Sequence, residues 1–338
     1  MEPAAPATPS RWPYFILGAL FFVGVLSVIL WNVEIPYVAF SPGPVADAST
    51  SVTTEGVHTY PPGGGLLMLT VISQDVNVFE ALIAGLDPSI DLVRREAVRR
   101  PDETDEEYRN RVLQQMDDSN FRAITAALSF LGYELVPVEV VINEFVEGVP
   151  AADVLELGDT ILEVEGVGVT SVTEIGPLIQ GREVGSPLRL KVGRDGDQLD
   201  LIVELAERTD TPGVAMIGVI LGELSEPPFP IELRAGDVGG PSAGMMHTLA
   251  IIDTLTEGEM TKGLVIAGTG TVQIDGTVGA IGGIRQKVVG AEAAGARYIL
   301  VPTDNYERAL TAERSTIEIV PVASIQEAVD FLESLPAT

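Results

Sequence analysis

The chain has 338 residues, 46% of them hydrophobic, and carries 49 acidic against 20 basic side chains, for a formal net charge of -29. That acid excess argues against a nucleic-acid partner, which needs cationic surface, and the length suffices for two or three domains. Cysteine is absent, which excludes a disulfide framework, a thiolate metal site and a cysteine nucleophile.

Residues 1–11 form a short Pro/Ala-rich tail. Residues 12–31 are uncharged and apolar, bracketed by the only two tryptophans, Trp12 and Trp31. As a helix this run spans roughly 30 Å, the thickness of a bilayer core, with aromatic anchors at both interfaces. Arg11 precedes it and Glu34 follows, which places the N-terminus in the cytoplasm and the remainder outside. A cleaved signal peptide is the alternative, but the run is long for one and the small-residue triplet Ala46-Asp47-Ala48 lies far past its end. An uncleaved single-pass anchor in the cell membrane is expected.

Residues 32–132 read as juxtamembrane strands followed by a helical insert. Strand character shows at 37–40 and 66–72, and helical periodicity holds from Asn77 to about Leu131, interrupted at Pro88 and Pro101. Thr104-Asp105-Glu106-Glu107 has the form of a capping box. Residues 133–208 change rhythm to short β-rich runs. A strand at 138–146 is followed by Gly148-Val149-Pro150-Ala151-Ala152 and Leu157-Gly158-Asp159-Thr160-Ile161. A helix capped at Ser171 comes next, and then a hairpin turning at Arg194-Asp195-Gly196-Asp197. Residues 212–336 return to α/β alternation, with helices predicted over 245–255 and 284–294 and strands at 264–270, 298–301 and 317–320. The fold class expected is α/β (α+β) and multidomain.

The stretch Gly236-Asp237-Val238-Gly239-Gly240-Pro241-Ser242-Ala243-Gly244-Met245-Met246-His247 sets one serine between glycines at a helix start. Pro241 favours the first helical turn, and unpaired N–H groups there, with the helix dipole, stabilise negative charge. A serine nucleophile beside an oxyanion site needs that geometry. Gly240-Pro241-Ser242-Ala243-Gly244 also satisfies the loose nucleophile-elbow pattern. The elbow fails for want of a histidine: His58 lies upstream, and His247 is five residues along the same helix, off the serine's face. A lysine held neutral by burial is the remaining base. Only three of the basic residues are lysine, and two follow the serine. Lys262 sits in a polar turn. Lys287 lies one turn into a helix among apolar and small residues and is the expected base.

Several motifs carry resemblances. Gly-Val-Pro-Ala-Ala followed by Leu-Gly-Asp-Thr-Ile is similar to bacterial PDZ domains, which add a peptide C-terminus as an extra strand. Gly132, Tyr133 and Leu135 are the implied peptide-binding positions, although this segment departs from the usual Gly-Leu-Gly-Phe loop. Gly-Pro-Ser-Ala-Gly followed by Gly-Gly-Ile-x-x-Lys resembles the proteolytic domain of Lon-type serine proteases. The resemblance implies a catalytic dyad of Ser242 and Lys287, supported by Thr269 on the lysine and by Gly240, Pro241 and Ala243 around the serine. Two positions depart from that pattern: Gly239 stands where an acid is common, with Asp237 nearby, and Thr271 stands where a glutamate is common. The whole arrangement looks like the YlbL family of membrane-anchored bacterial proteases.

The expectation is an ATP-independent serine endopeptidase cleaving exposed or unfolded protein segments, with the PDZ domain recruiting or gating substrate. No phosphate-binding Gly-x-x-x-x-Gly-Lys-Ser/Thr loop occurs, so no ATP is expected, and no cofactor or metal either. The partners expected are protein or peptide substrates and the membrane, through residues 12–31; a homo-oligomer is compatible. The rival is a non-catalytic membrane-anchored PDZ scaffold with an inactive Lon-like domain.

Overall fold

A computed structural model describes residues 12–101, 103–146, 148–194, 196–208, 211–234 and 239–336. The expected tail at 1–11 and the acid Asp237 lie outside the described residues. The chain divides into two compact units, residues 1–127 with 231–338, and residues 128–230.

The first part of the chain forms α1 (Trp12–Asn32), β1 (Glu34–Asp47), β2 (Val52–Thr54), β3 (Gly65–Asn77), α2 (Val78–Ala84), β4 (Asp91–Arg94) and α3 (Asp105–Phe130). The middle forms β5 (Val136–Phe145), β6 (Thr160–Val164), β7 (Val167–Gly168), α4 (Val172–Ile179), β8 (Pro187–Arg194) and β9 (Asp197–Glu204). It closes with β10 (Ala206–Glu207), β11 (Ala215–Met216) and β12 (Val219–Glu226). The last part forms β13 (Ile231–Leu233), α5 (Gly244–Leu255), β14 (Val265–Gly268), β15 (Thr271–Val272) and β16 (Val278–Gly279). It ends with α6 (Ile284–Ala293), β17 (Tyr298–Pro302), α7 (Tyr306–Ala309), β18 (Glu318–Val322) and α8 (Ile325–Ser334).

The first unit is built on a six-stranded sheet of order β18-β17-β14-β3-β1-β4. β3, β14, β17 and β18 are parallel, joined in part through α6 and α7, and β1 runs antiparallel between β3 and β4. Every residue of β17 is buried, as expected of a parallel strand covered on both faces. Helix α5 is buried from Gly244 to Asp253. Buried on all sides over that span, it is a core helix and not a surface one, and the fully buried Met245, Met246 and Leu249 add roughly 1.5–3 kcal/mol apiece.

The sequence sets 32–132 apart from 212–336, whereas this sheet draws on both. β3 pairs with β14 at Leu66↔Ile266 and Leu67↔Ala267. The reason is that the apolar run of β3 needs a partner on each edge, and neither β1 nor α2 can supply the second. Helical character was expected through 77–131, yet residues 91–94 are a strand paired with β1. Four residues are too few to show a period, and the pairing alone makes them extended. The capping box at Thr104 is present, with Thr104 N–H donating to Glu107 Oε2 at 2.8 Å and Glu107 N–H to Thr104 Oγ1 at 3.2 Å.

The second unit holds an antiparallel sheet of order β12-β5-β6-β8-β9, with β7 hanging from β6. Its core gathers Val140, Ile142, Ile161, Leu188, Leu190 and Val203, with Ile175 of α4 against them. Ser171 and Glu174 form the expected capping box at the start of α4, and the β8–β9 hairpin closes Arg194 on Asp197.

Among the described residues, α1 is the one helix long and apolar enough to cross a membrane by length and composition. Phe15, Leu17, Leu20, Phe21 and Phe22 on it are exposed.

Candidate active site

Ser242 sits in a single 3-10 turn, Pro241–Ala243, that runs directly into α5. The turn begins at Gly240, whose φ of +92° is one that a side-chain-bearing residue rarely adopts. The serine carbonyl is held twice, by Gly270 N–H at 2.9 Å and by the Thr269 hydroxyl at 3.1 Å. Helix α3 holds the turn from the other side. The Ser119 hydroxyl donates to Pro241 O at 3.1 Å, and Gly240 N–H donates to Val112 O at 3.3 Å. At Gly244 a Cβ would come within 2.9 Å of Ser119 Oγ, so only glycine lets α3 approach this closely.

Lys287 lies one turn into α6 and is 2% exposed. Its Nζ is 2.7 Å from Ser242 Oγ and 2.8 Å from Thr269 Oγ1. Burial pushes its pKa down to about 7. No carboxylate offsets that burial, so the neutral amine is available near neutrality. The hydroxyl of Thr269 is committed to the Ser242 carbonyl. Toward Lys287 it therefore accepts, which takes up one amine N–H and leaves the nitrogen lone pair for the serine.

The other candidate bases are elsewhere. Lys191 pairs with Glu163 at 2.6 Å, which raises its pKa. Lys262 sits in a turn with φ +53°. His58 is exposed and lies edge-on to Tyr60. His247 is wholly buried, burial pushes its pKa down to about 4, and neither ring nitrogen has a hydrogen-bond partner among the described residues.

A cleft of about 760 Å³ opens over the pair, walled by Phe40, Val71, Val93, Ile281 and Ile284. Several residues that shape it escape sequence reasoning. Arg285 forms an ion pair with Asp91 and donates to Pro88 O at 2.9 Å, and Gln286 donates to Ser89 O at 3.2 Å. Both flank Lys287, so the segment before β4 clamps the helix that carries the amine. Asn305 fastens the loop before α6 by accepting from Ile281 N–H at 2.8 Å and donating to its carbonyl at 3.1 Å. The separations, 194 and 197 residues for the Arg285 bonds, leave no local signal.

Gly239 has a physical reason. A Cβ there would lie 2.4 Å from Val112 Cγ1, so α3 occupies the space that an acidic side chain would need.

The implied peptide-binding residues do not meet an open edge. Gly132 has φ +77°, and Tyr133 stacks edge-on against Phe229 at 5.2 Å. β5, the strand that follows Leu135, is paired with β6 on one side and along its length with β12 on the other, from Val136↔Glu226 to Phe145↔Val219. Glu223 of β12 accepts from Ser171 Oγ at 2.7 Å and Val172 N–H at 2.9 Å at the start of α4. The place of an added strand is taken by the chain itself.

Two domain classes are present in the chain, a Lon-type proteolytic domain and a PDZ domain. Residues 232–333 match the family model of the Lon protease (S16) C-terminal proteolytic domain, and residues 111–205 match that of the PDZ domain. The chain is similar to the Lon protease of Phenylobacterium zucineum, at 34% identity over 119 residues, covering 34% of this chain and 15% of that protein. It is likewise similar to the Lon protease of Fusobacterium nucleatum, at 47% over 66 residues, covering 20% of this chain and 8% of that one. With Lon protease 1 of Sorangium cellulosum it shares 39% over 119 residues, covering 34% and 14%. The chain thus spans less than a sixth of the length of each of these relatives. Among solved structures, the PDZ domain of an SdrC-like protein from Listeria monocytogenes is 26% identical, covering 26% of this chain and 92% of that one with a TM-score of 0.24.

Proposed function

We propose that the chain is an ATP-independent serine endopeptidase anchored by α1, in which Ser242 is the nucleophile and Lys287 the general base. One observation carries this reading: the buried amine, with a pKa of about 7, lies 2.7 Å from the serine hydroxyl. Neutral Lys287 accepts the Ser242 proton as Oγ attacks the scissile carbonyl. The tetrahedral oxyanion lies by the N–H groups of Ser242 and Ala243, in the first turn leading into α5, where helical geometry leaves N–H groups without intrahelical acceptors. The lysine ammonium returns its proton to the leaving amine, and the same amine then draws a proton from water to release the acyl group. Thr269 keeps the amine oriented throughout.

The apolar walls of the cleft suit an extended peptide segment, and the absence of a phosphate-binding loop fits substrates that are already exposed or unfolded. The filled edge of β5 favours gating by the PDZ domain over capture of a free C-terminus. An uncleaved α1 is supported by β1, since cleavage at Ala46-Asp47-Ala48 would remove this inner strand of the sheet, and domains outside the cytoplasm are supported by Arg11 on the N-terminal side of the apolar run.

The test uses the full chain in detergent with unfolded casein. Ser242→Ala, Lys287→Ala and Lys287→Arg should each abolish cleavage with the circular dichroism spectrum unchanged, since an arginine cannot deprotonate. A serine-reactive fluorophosphonate should label the wild type at Ser242. Full activity of Lys287→Ala refutes the assignment.

A further inference from the structure

A surface outside the cleft remains unused by this chemistry. The short helix α2 exposes Leu82 at 64% and Ile83 at 66%, and Leu86 in the turn that follows is exposed at 85%. With Phe79 they fall at i, i+3, i+4 and i+7, a single apolar stripe on one helical face. The turn continues the helical spacing, with Gly85 N–H donating to Ala81 O at 2.9 Å and Leu86 N–H to Ile83 O at 3.0 Å. Ala84 is buried, so the helix turns its small side chain inward and its large apolar ones outward. Soluble surfaces seldom gather side chains this way.

The stripe is continuous with α1. Phe79 stacks on Trp31, in the last turn of that helix, at 6.2 Å between ring centroids. Val33, just beyond, is exposed as well. A tryptophan at the end of a membrane-crossing helix sits at headgroup level, and the stripe begins at that tryptophan.

The charges nearby agree. In a chain of net charge -29, β4 brings the exposed Arg94 opposite Tyr37 of β1, three residues past Glu34, where β1 leaves the anchor. Three residues of strand cover about 10 Å. Arg95 next to it pairs with Glu34 at 3.3 Å and with Asp75 at 2.8 Å. Of the acids beside the stripe, Glu80 accepts from Asn77 N–H at 2.9 Å as part of the cap of α2, and Asp87 accepts from Ser89 through its N–H at 2.9 Å and its hydroxyl at 2.7 Å.

We infer that Leu82, Ile83 and Leu86 insert into the headgroup–acyl boundary of the bilayer that α1 crosses, with Arg94 facing anionic headgroups. Such a helix lies in the plane of the interface on its apolar face, and a cation near the surface favours anionic lipid. The inference rests on reading α1 as the anchor, and the experiment separates the two. Because the chain has no cysteine, a single introduced cysteine carries an NBD fluorophore without further changes. Full-length Leu82→Cys, Ile83→Cys and Leu86→Cys are reconstituted in vesicles of three parts phosphatidylcholine to one part phosphatidylglycerol. Lipids spin-labelled near the headgroup or deep in the acyl chain serve as quenchers. Leu20→Cys reports on the anchor and Glu333→Cys on an exposed site elsewhere.

The three patch probes should be quenched by the shallow label severalfold more than Glu333→Cys, and Leu20→Cys by the deep one. Replacing phosphatidylglycerol with phosphatidylcholine, or Arg94→Gln, should lower the patch quenching. Patch probes that match Glu333→Cys while Leu20→Cys is quenched overturn the inference alone, and an unquenched Leu20→Cys overturns the anchor together with the inference that rests on it. The triple variant Leu82→Ser, Ile83→Ser, Leu86→Ser touches nothing in the cleft. It should still cleave soluble casein at the wild-type rate, which shows that it folds. An NBD probe at Phe79→Cys in that background should lose its shallow quenching; retention would also overturn the inference.

Discussion

The two units end their sheets differently. In the first, β4 is an edge strand and places Asp91 and Val93 in the wall of an open cleft. In the second, the edge of β5 is closed by β12, which Glu223 ties to the start of α4. An unpaired row of backbone groups is a template for another strand. The comparison teaches that an outer strand lines the cleft over Ser242 in the first sheet, whereas in the second β5 is an inner strand and the outer ones are β12 and β9. A peptide can meet β4 as it stands, whereas to pair with β5 it must displace the eight residues of β12.

The largest way to break this comparison is at the dyad. Ser242→Ala or Lys287→Ala should cost about 10⁴-fold or more in kcat/KM, as removal of a nucleophile or its base does elsewhere, measured on a fluorogenic peptide. In the wild type, the base form of Lys287 grows as pH rises through about 7, so kcat/KM should climb through that value and level off above it. A profile flat from pH 6 to 9 would contradict the base assignment.

Stability carries a second signature of the same group. The folded-state pKa of about 7 lies below the ordinary 10.5, so between those values the unfolded chain binds more protons. Stability therefore rises with pH across that window, and the burden is fully present below about 7. Lys287→Met should remove that slope and raise Tm at neutral pH while abolishing cleavage, which differential scanning calorimetry at several pH values would show. Equal slopes in the two proteins would mean that the amine is hydrated.

A smaller effect is expected at the contact between α3 and the serine turn. Gly239→Ala places a Cβ against Val112, and overpacking costs about 1–3 kcal/mol. A loss of roughly tenfold in kcat/KM should follow, with partial recovery on adding Val112→Ala. Ser119→Ala removes one hydrogen bond to Pro241, worth about 0.5–1.5 kcal/mol, so a two- to tenfold fall is expected.

The smallest effect should appear in the second unit. Glu223→Ala removes two bonds that pin β12. Amide exchange of Val141, opposite Gly222 of β12, should speed up by about tenfold, while casein cleavage stays within twofold. If exchange is unchanged, β12 is held by its ladder alone.

What the sequence by itself determined was local. The glycines around Ser242, Pro241 at the start of the turn and the lysine one turn into α6 carry their meaning in adjacent residues, as do the capping boxes at Thr104 and Ser171 and the apolar run of α1. Counting histidines was enough to remove a Ser-His pair. Tertiary structure decided the rest, because it depends on partners far apart in the chain. β3 finds its parallel neighbour at β14. Residues 91–94 become a strand only because β1 lies beside them. Val112 and Ser119 reach the serine turn across more than a hundred residues, Asp91 clamps the helix of Lys287 from still further away, and β12 closes an edge that no nearby motif marks. Periodicity and capping act over one or two turns of chain, whereas edge pairing and close approach are set by which surfaces meet when the core forms.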